Sequence, residues 1–331
     1  MLFSTSLITG TFIAISSYSW LGMWMGLEIN LLSIIPLMAN KPNMMSTEAS
    51  LKYFLTQALA STMLLFALIM MSMTLMFNVK ASIYLTMILN SSLLTKMGAA
   101  PFHFWFPEVL EGLSWSNCFI MLSWQKLAPF VLLIYSNKTV MFLSSVIILS
   151  MLIGGIMGLN QTSLRKILAY SSINHMGWMI GSMMVMETIW LVYYLIYVII
   201  TTNIIFMLKT LNISHIQQML TSMSKNLMIK LFFITNFLSL GGLPPFLGFM
   251  PKWMTIQIMV ENYFIALPAI MVILTLITLY FYLRITFSSV LLISINNNYL
   301  TDIQPNKFII IASNMFTLLS LILCTLMFNI S

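Results

Sequence analysis

Charge is nearly absent from this chain. Of its 331 residues, 6% are charged and 60% are hydrophobic, and the mean hydropathy is +0.99. A soluble globular core cannot absorb that much apolar surface. Acidic residues are scarcest, seven against fourteen Lys and Arg, for a net charge of +7. The basic residues are scattered one or two at a time between apolar runs, which argues against the continuous patch of a nucleic-acid-binding protein. Cysteine is almost missing as well. Cys118 and Cys324 each stand alone inside an apolar run, without the paired spacing of a zinc or iron-sulfur site, so electron transfer through a cofactor bound by this chain is not expected. A basic or Arg-rich leader is also lacking, and an apolar run starts at Met1, so the first span is read as retained rather than cleaved.

What is present is a succession of apolar runs. A hydrocarbon core about 30 Å thick takes roughly 20 residues of helix, and backbone groups inside it must bond within their own segment. The runs divide into eleven spans: 2–19, 21–39, 53–77, 81–106, 113–136, 139–158, 165–184, 188–209, 227–258, 263–290 and 308–328. The fold class is therefore all-α and polytopic. Between the eighth and ninth spans, Ile216, Met219, Leu220 and Met223 recur at helical spacing, which predicts a short helix lying in the membrane interface. No loop is long enough to hold a soluble catalytic domain. Lys41, Lys52, Arg165, Lys166, Lys209, Lys225 and Lys307 fall on one side of this map and Lys80 and Lys138 on the other. The positive-inside rule then puts the N-terminus on the cytoplasmic or matrix side and the C-terminus outside.

Several ionisable residues interrupt the spans: Glu28 in the second, Lys96 and His103 in the fourth, Lys126 in the fifth, His175 in the seventh and Lys252 in the ninth. Each costs several kcal/mol at such a depth unless it is paired, hydrated or neutral. Snorkelling to an interface is an alternative for most of them, but Lys126 lies far from both ends of its span. His175 reads either as a proton relay or as a hydrogen-bonded core histidine. His103 has the same two readings, and His215 reads as surface.

Spans four and nine share a pattern. Gly98, Pro101, Phe102, Pro107 and Glu108 align with Gly242, Pro245, Phe246, Pro251 and Lys252. An odd separation of five spans means that the two copies enter the membrane from opposite sides. That is the arrangement of inverted repeats with discontinuous helices, where interrupted backbone is tolerated around a wet cavity. The other reading is that the prolines only kink packed helices. Lys96 precedes one break and Lys252 follows the other, so the pattern suggests a transport path with an amine at each. Protons are the favoured cargo, because clustered carboxylates and carbonyl-rich filter loops are absent. A carboxylate such as Glu28 beside a desolvated lysine would make a controllable proton store.

The chain resembles the chain-2 family of mitochondrial NADH-ubiquinone oxidoreductase, respiratory complex I, in its animal and specifically insect form. The resemblance runs over the whole length. Its motifs are Gly26-Leu27-Glu28-Ile29-Asn30, the runs 46–57 (STEASLKYFLTQ) and 100–108 (APFHFWFPE), Trp124-Gln125-Lys126-Leu127-Ala128-Pro129, and the runs 158–178 (GLNQTSLRKILAYSSINHMGW) and 240–253 (LGGLPPFLGFMPKW). It implies an antiporter-like subunit of a proton-pumping membrane arm, built from two inverted five-helix units at 1–136 and 139–290 with helices four and nine discontinuous. A C-terminal helix at 308–328 is an addition. It implies a Glu–Lys pair matched by Glu28 and Lys96, a central lysine matched by Lys126, a relay histidine matched by His175, and a charged residue on the second broken helix matched by Lys252.

It further implies that NADH, FMN, iron-sulfur clusters and ubiquinone belong to partner subunits and that no cofactor is bound here. Neighbouring antiporter-like chains, small accessory subunits and structural phospholipid such as cardiolipin are the expected partners. The expected location is the mitochondrial inner membrane, multi-pass, with the N-terminus in the matrix and the C-terminus in the intermembrane space. Bacterial members carry further N-terminal helices that this chain lacks, so an open flank is expected to pack against other subunits or lipid. A free-standing cation/proton antiporter, or a purely structural membrane scaffold, would carry similar broken helices and buried charges.

Overall fold

A computed structural model describes residues 2–39, 43–74, 79–136, 139–223, 227–244 and 246–291. Within them the chain is helical throughout: α1 Leu2–Ser16, α2 Trp20–Met38, α3 Met44–Thr74, α4 Val79–Met97, α5 Trp105–Gly112, α6 Trp115–Leu122, α7 Trp124–Tyr135, α8 Val140–Leu159, α9 Leu164–Val185, α10 Glu187–Thr210, α11 Ile216–Met223, α12 Leu227–Gly241, α13 Phe249–Glu261 and α14 Ala266–Leu291. Six segments among the described residues are long and apolar enough to cross a membrane: Trp20–Met38, Met44–Met73, Trp115–Tyr135, Val140–Leu159, Glu187–Thr210 and Ala266–Ser289. Many large apolar side chains along these helices are exposed, Leu32, Leu59 and Ile273 among them. Exposed oil on long helices is the outside of a membrane protein rather than of a soluble one. The protein is an all-α, multi-pass membrane protein.

The described residues fall into two compact units, divided between Ser150 and Met151 inside α8. In the first, α1 packs along α2, α3 lies against α2, α4 and α5, and α7 lies against α1, α4 and α6. The α1–α2 contact is close because a Cβ on Gly26 would lie 2.5 Å from the backbone nitrogen of Ala14. Small residues at such crossings let membrane helices approach each other's backbone. In the second unit, α10 packs on α9, α12 and α13, while α14 contacts α9, α11, α12 and α13.

Several boundaries differ from the hydropathy reading. The third helix starts at Met44, more than two turns before the apolar run at 53, because Glu48 and Lys52 continue it as an i,i+4 pair 2.8 Å apart. The run 113–136 is divided at Ser123 into α6 and α7, with Ser123 at φ −110°, ψ −81° and its hydroxyl donating to the Phe119 carbonyl at 2.6 Å. The short helix expected in 214–225 is α11, with Met219 buried and Gln217, Gln218 and His215 exposed. The proposed span 308–328 lies outside the described residues, as do Lys41, Lys138, Lys225, Lys307, Pro245 and Cys324.

In the second unit, the segment before α9 meets the segment before α11. Ser163 and His215 form an isolated antiparallel bridge, with Leu164 N donating to Ser214 O at 3.0 Å and Ile216 N to Thr162 O at 3.3 Å. The loops that follow α8 and α10 are thereby held together.

Candidate functional site

The two aligned sequence stretches have the same backbone at their start. The helix α4 ends at Gly98, φ +78°, whose amide bonds the Leu94 and Thr95 carbonyls at 3.0 and 3.2 Å while Ala99 bonds Leu94 at 3.1 Å. At the aligned positions α12 ends at Gly242, φ +79°, bonded to Leu238 and Ser239 at 3.1 and 3.0 Å, with Leu243 bonded to Leu238 at 3.4 Å. Both are Schellman closures with glycine in the left-handed conformation. In both, the helix ends on the glycine of the shared pattern.

What caps the freed carbonyls differs between the two. In the first unit the Lys96 carbonyl accepts from Gln57 Nε2 at 3.4 Å, and the Thr95 carbonyl accepts from Trp105 Nε1 at 3.1 Å. In the second, Lys252 Nζ donates to the carbonyls of Gly241 at 2.8 Å and Leu240 at 3.2 Å. An ammonium is well placed there, at the negative end of a helix dipole.

All five charged or relay candidates are located. Lys126, Lys96 and Lys252 are buried at 1%, 6% and 7% exposure and His175 at 4%, while Glu28 is half-buried in the middle of α2. Glu28 and Lys96 are not within ion-pair distance of 4.0 Å. Lys52 forms ion pairs with Glu48 and Glu108 through exposed side chains. Lys126 stands on the first turn of α7, just after the Ser123 interruption, with its Nζ 5.2 Å from the centre of the Phe106 ring. That is a cation–π distance, and it ties α7 to the residues following the first break.

Charge alone does not locate the neutral polar groups around these amines. Beside Lys96 is a pocket with room for about one water molecule, walled by Asn30, Tyr53, Gln57, Gln125 and Pro129. Tyr53 donates to Gln125 Oε1 at 3.4 Å, and Gln125 Nε2 donates to Asn30 Oδ1 at 2.8 Å. In the second unit, His175 Nδ1 is 2.9 Å from the Tyr193 hydroxyl, and the His175 and Tyr197 rings lie 5.3 Å apart. A second small pocket has His175, Tyr193 and Tyr197 on one wall and Leu240, Gly248 and Pro251 from the α12–α13 break on the other. His175 is therefore a hydrogen-bonded buried histidine that also faces a cavity. His103 is buried with Nδ1 3.3 Å from the Pro101 carbonyl, and His215 is exposed. Among the described residues no three His, Cys, Asp or Glu side chains come together as metal ligands.

Buried amines and a histidine thus stand near the ends of α4 and α12 in a fold of apolar spans. Residues 17–278 match the family described as NADH:quinone oxidoreductase/Mrp antiporter, transmembrane, and the chain belongs to that family. It is 53% identical over 291 residues to NADH-ubiquinone oxidoreductase chain 2 of Anopheles gambiae, covering 87% of this chain and 84% of that one. It is 47% identical over 310 residues to the chain of the same description from Locusta migratoria, covering 94% and 91%. Among solved structures, a chain of respiratory complex I from Thermus thermophilus superposes with a TM-score of 0.85 at 24% identity, over 96% of this chain and 76% of that chain. At that identity the likeness speaks for the fold. This chain is a membrane-embedded, antiporter-like subunit type whose buried charged residues suit proton translocation.

Proposed function

We propose that the chain translocates protons in the membrane arm of a mitochondrial NADH:ubiquinone oxidoreductase. Glu28, Lys96, Lys126, His175 and Lys252 hold and pass the protons, with water between them, and NADH oxidation and quinone reduction in partner subunits drive the transfer. NADH, FMN, iron-sulfur clusters and ubiquinone reside in those partners. The observation that carries this reading is the burial of Lys96, Lys126 and Lys252 at 1–7% exposure inside an apolar helical protein. Lysine at such depth is strongly disfavoured, and a transport path is the function that uses it. Neither Lys96 nor Lys252 has a carboxylate within 4.0 Å among the described residues, so both can change protonation without breaking a contact ion pair.

The same reading assigns 1–136 and 139–290 to two inverted five-helix units, with eleven spans in all and 308–328 as an added helix. The shared Schellman closures at Gly98 and Gly242 support this equivalence. The seven-to-two charge bias supports a matrix N-terminus and an intermembrane-space C-terminus, and the Ser163–His215 bridge is consistent with two of the basic loops sharing a side. Neighbouring antiporter-like chains, accessory subunits and anionic phospholipid would cover the exposed helix faces.

The test is proton translocation per NADH oxidised in assembled complex carrying Lys126→Met. A reduced ratio with normal assembly is expected, and an unchanged ratio would overturn the assignment. Sodium or potassium exchange by the purified chain alone in liposomes would instead favour a free-standing antiporter.

A further inference from the structure

We infer that Gln125 is a positioning residue for proton transfer between Lys96 and Lys126, acting as a clamped amide that orders the water-sized polar pocket beside Lys96. The inference rests on the proton-translocation reading and goes beyond it, because Gln125 carries no charge and no proton of its own to exchange. It follows Ser123 and Trp124 in the chain, directly after the interruption between α6 and α7, and it immediately precedes Lys126. Its side chain lines the pocket that Lys96 also lines. One covalent step therefore joins the wall of the Lys96 pocket to the backbone that carries Lys126.

The amide is held from both ends. Tyr53 on α3 donates to its oxygen at 3.4 Å, and its nitrogen donates to Asn30 on α2 at 2.8 Å. All three side chains are buried, at 3% for Tyr53 and Asn30 and 9% for Gln125. Donors thus run in one direction, from Tyr53 through Gln125 to Asn30, which lies two residues along α2 from Glu28. An amide can neither take up nor release a proton in this range. What it does is fix the orientation of a neighbouring water, leaving that water one acceptor face towards Lys96 and one donor direction onward. Gln57, whose amide bonds the Lys96 carbonyl at 3.4 Å, closes the same pocket from α3. A polar pocket of this size with several partners is where a single water is retained. Without the amide, the water has no fixed orientation and the transfer geometry is lost.

Four variants in assembled complex test this: Gln125→Leu, which keeps the bulk, Tyr53→Phe, which removes only the donor to Gln125, the double variant carrying both, and Lys126→Met. Proton translocation per NADH oxidised is measured for each, normalised to assembled complex, in light and in heavy water. Gln125→Leu is expected to lower the ratio, to increase the solvent isotope effect on translocation, and to make the addition of Tyr53→Phe no worse, since both act through one clamp. A normal ratio and a wild-type isotope effect in Gln125→Leu, with Lys126→Met impaired, would overturn this inference and leave the proton-translocation reading standing. A normal ratio in Lys126→Met would remove that reading itself. If Gln125→Leu does not assemble, Tyr53→Phe decides alone: a lowered ratio supports the clamp and a normal one refutes it.

Discussion

The ammonium of Lys252 caps the helix that precedes its own, donating to the Gly241 carbonyl at 2.8 Å by passing over Gly242. A Cβ on Gly242 would lie 2.8 Å from Lys252 Cδ and 2.9 Å from its Nζ, and Gly242 has φ +79°. The glycine is required twice, once for its left-handed backbone and once for the space it leaves.

Gly242→Ala is therefore expected to cost about 1–2 kcal/mol for the left-handed conformation and in addition to displace Lys252 from its carbonyls. Gly98→Ala should be milder, because the nearest atom there is Phe106 Cβ at 3.1 Å and no amine is moved. Thermal stability and proton translocation of assembled complex with each variant test this. Equal translocation defects in the two would contradict the role given to the Lys252 contact.

Tyr193→Phe removes the hydroxyl that sits 2.9 Å from His175 Nδ1. The lost hydrogen bond should lower stability by about 1 kcal/mol. Because that bond helps to hold the ring that is assigned the relay role, translocation should fall more than stability does. Tyr197→Phe leaves the Nδ1 contact in place and is expected to be the weaker variant. A larger translocation defect in Tyr197→Phe than in Tyr193→Phe would refute this assignment.

The bridge between Ser163 and His215 holds the loops after α8 and α10 together. Cysteines introduced beside Arg165 and Lys209 should therefore label from the same side of sealed membranes, together with one at Lys41, and opposite those at Lys80 and Lys138. Labelling of the Arg165 and Lys209 positions from different sides would rule out the span order as well as the orientation.

The exposed Lys52 lies 2.8 Å from Glu48 and 2.9 Å from Glu108, linking α3 to α5. Exposed pairs of this kind contribute little and are screened by salt. Lys52→Gln should give a small loss of thermal stability that shrinks as ionic strength rises, with normal proton translocation. A large defect independent of salt would show that the cluster does more than join two helices.

Long apolar runs made most of the helices legible, because spacing and length suffice when the surroundings are lipid. Divisions inside a run were harder to read. Trp115–Tyr135 is continuous in hydropathy, and its interruption at Ser123 depends on a backbone conformation with no compositional signal. The breaks after α4 and α12 were visible as Gly–Pro–Phe patterns, yet the helices end on Gly98 and Gly242 through local hydrogen bonding that proline does not report. Charge marks Lys96, Lys126, Lys252 and Glu28 but not Asn30, Tyr53, Gln57, Gln125 and Tyr193, which are neutral. Four of those stand inside or beside the motifs at 26–30, 46–57 and 124–129. Polar side chains at apolar-run positions, rather than ionisable ones alone, were the available signal.

The half-buried Glu28 and the buried Lys96 and Lys126 should form a working path rather than a structural pin. A lysine at mid-membrane is strongly disfavoured, so a Glu28 carboxylate, although beyond contact distance, should favour the charged form of Lys96, and its withdrawal should release the Lys96 proton towards Lys126. The most direct measurement is proton translocation per NADH oxidised, normalised to assembled complex, in Glu28→Gln, Lys96→Met and the double variant. Normal assembly is expected, with a lowered ratio in each single variant and a double variant little worse than either one. A normal ratio and rate in Glu28→Gln, with only the amount of assembled complex reduced, would contradict it.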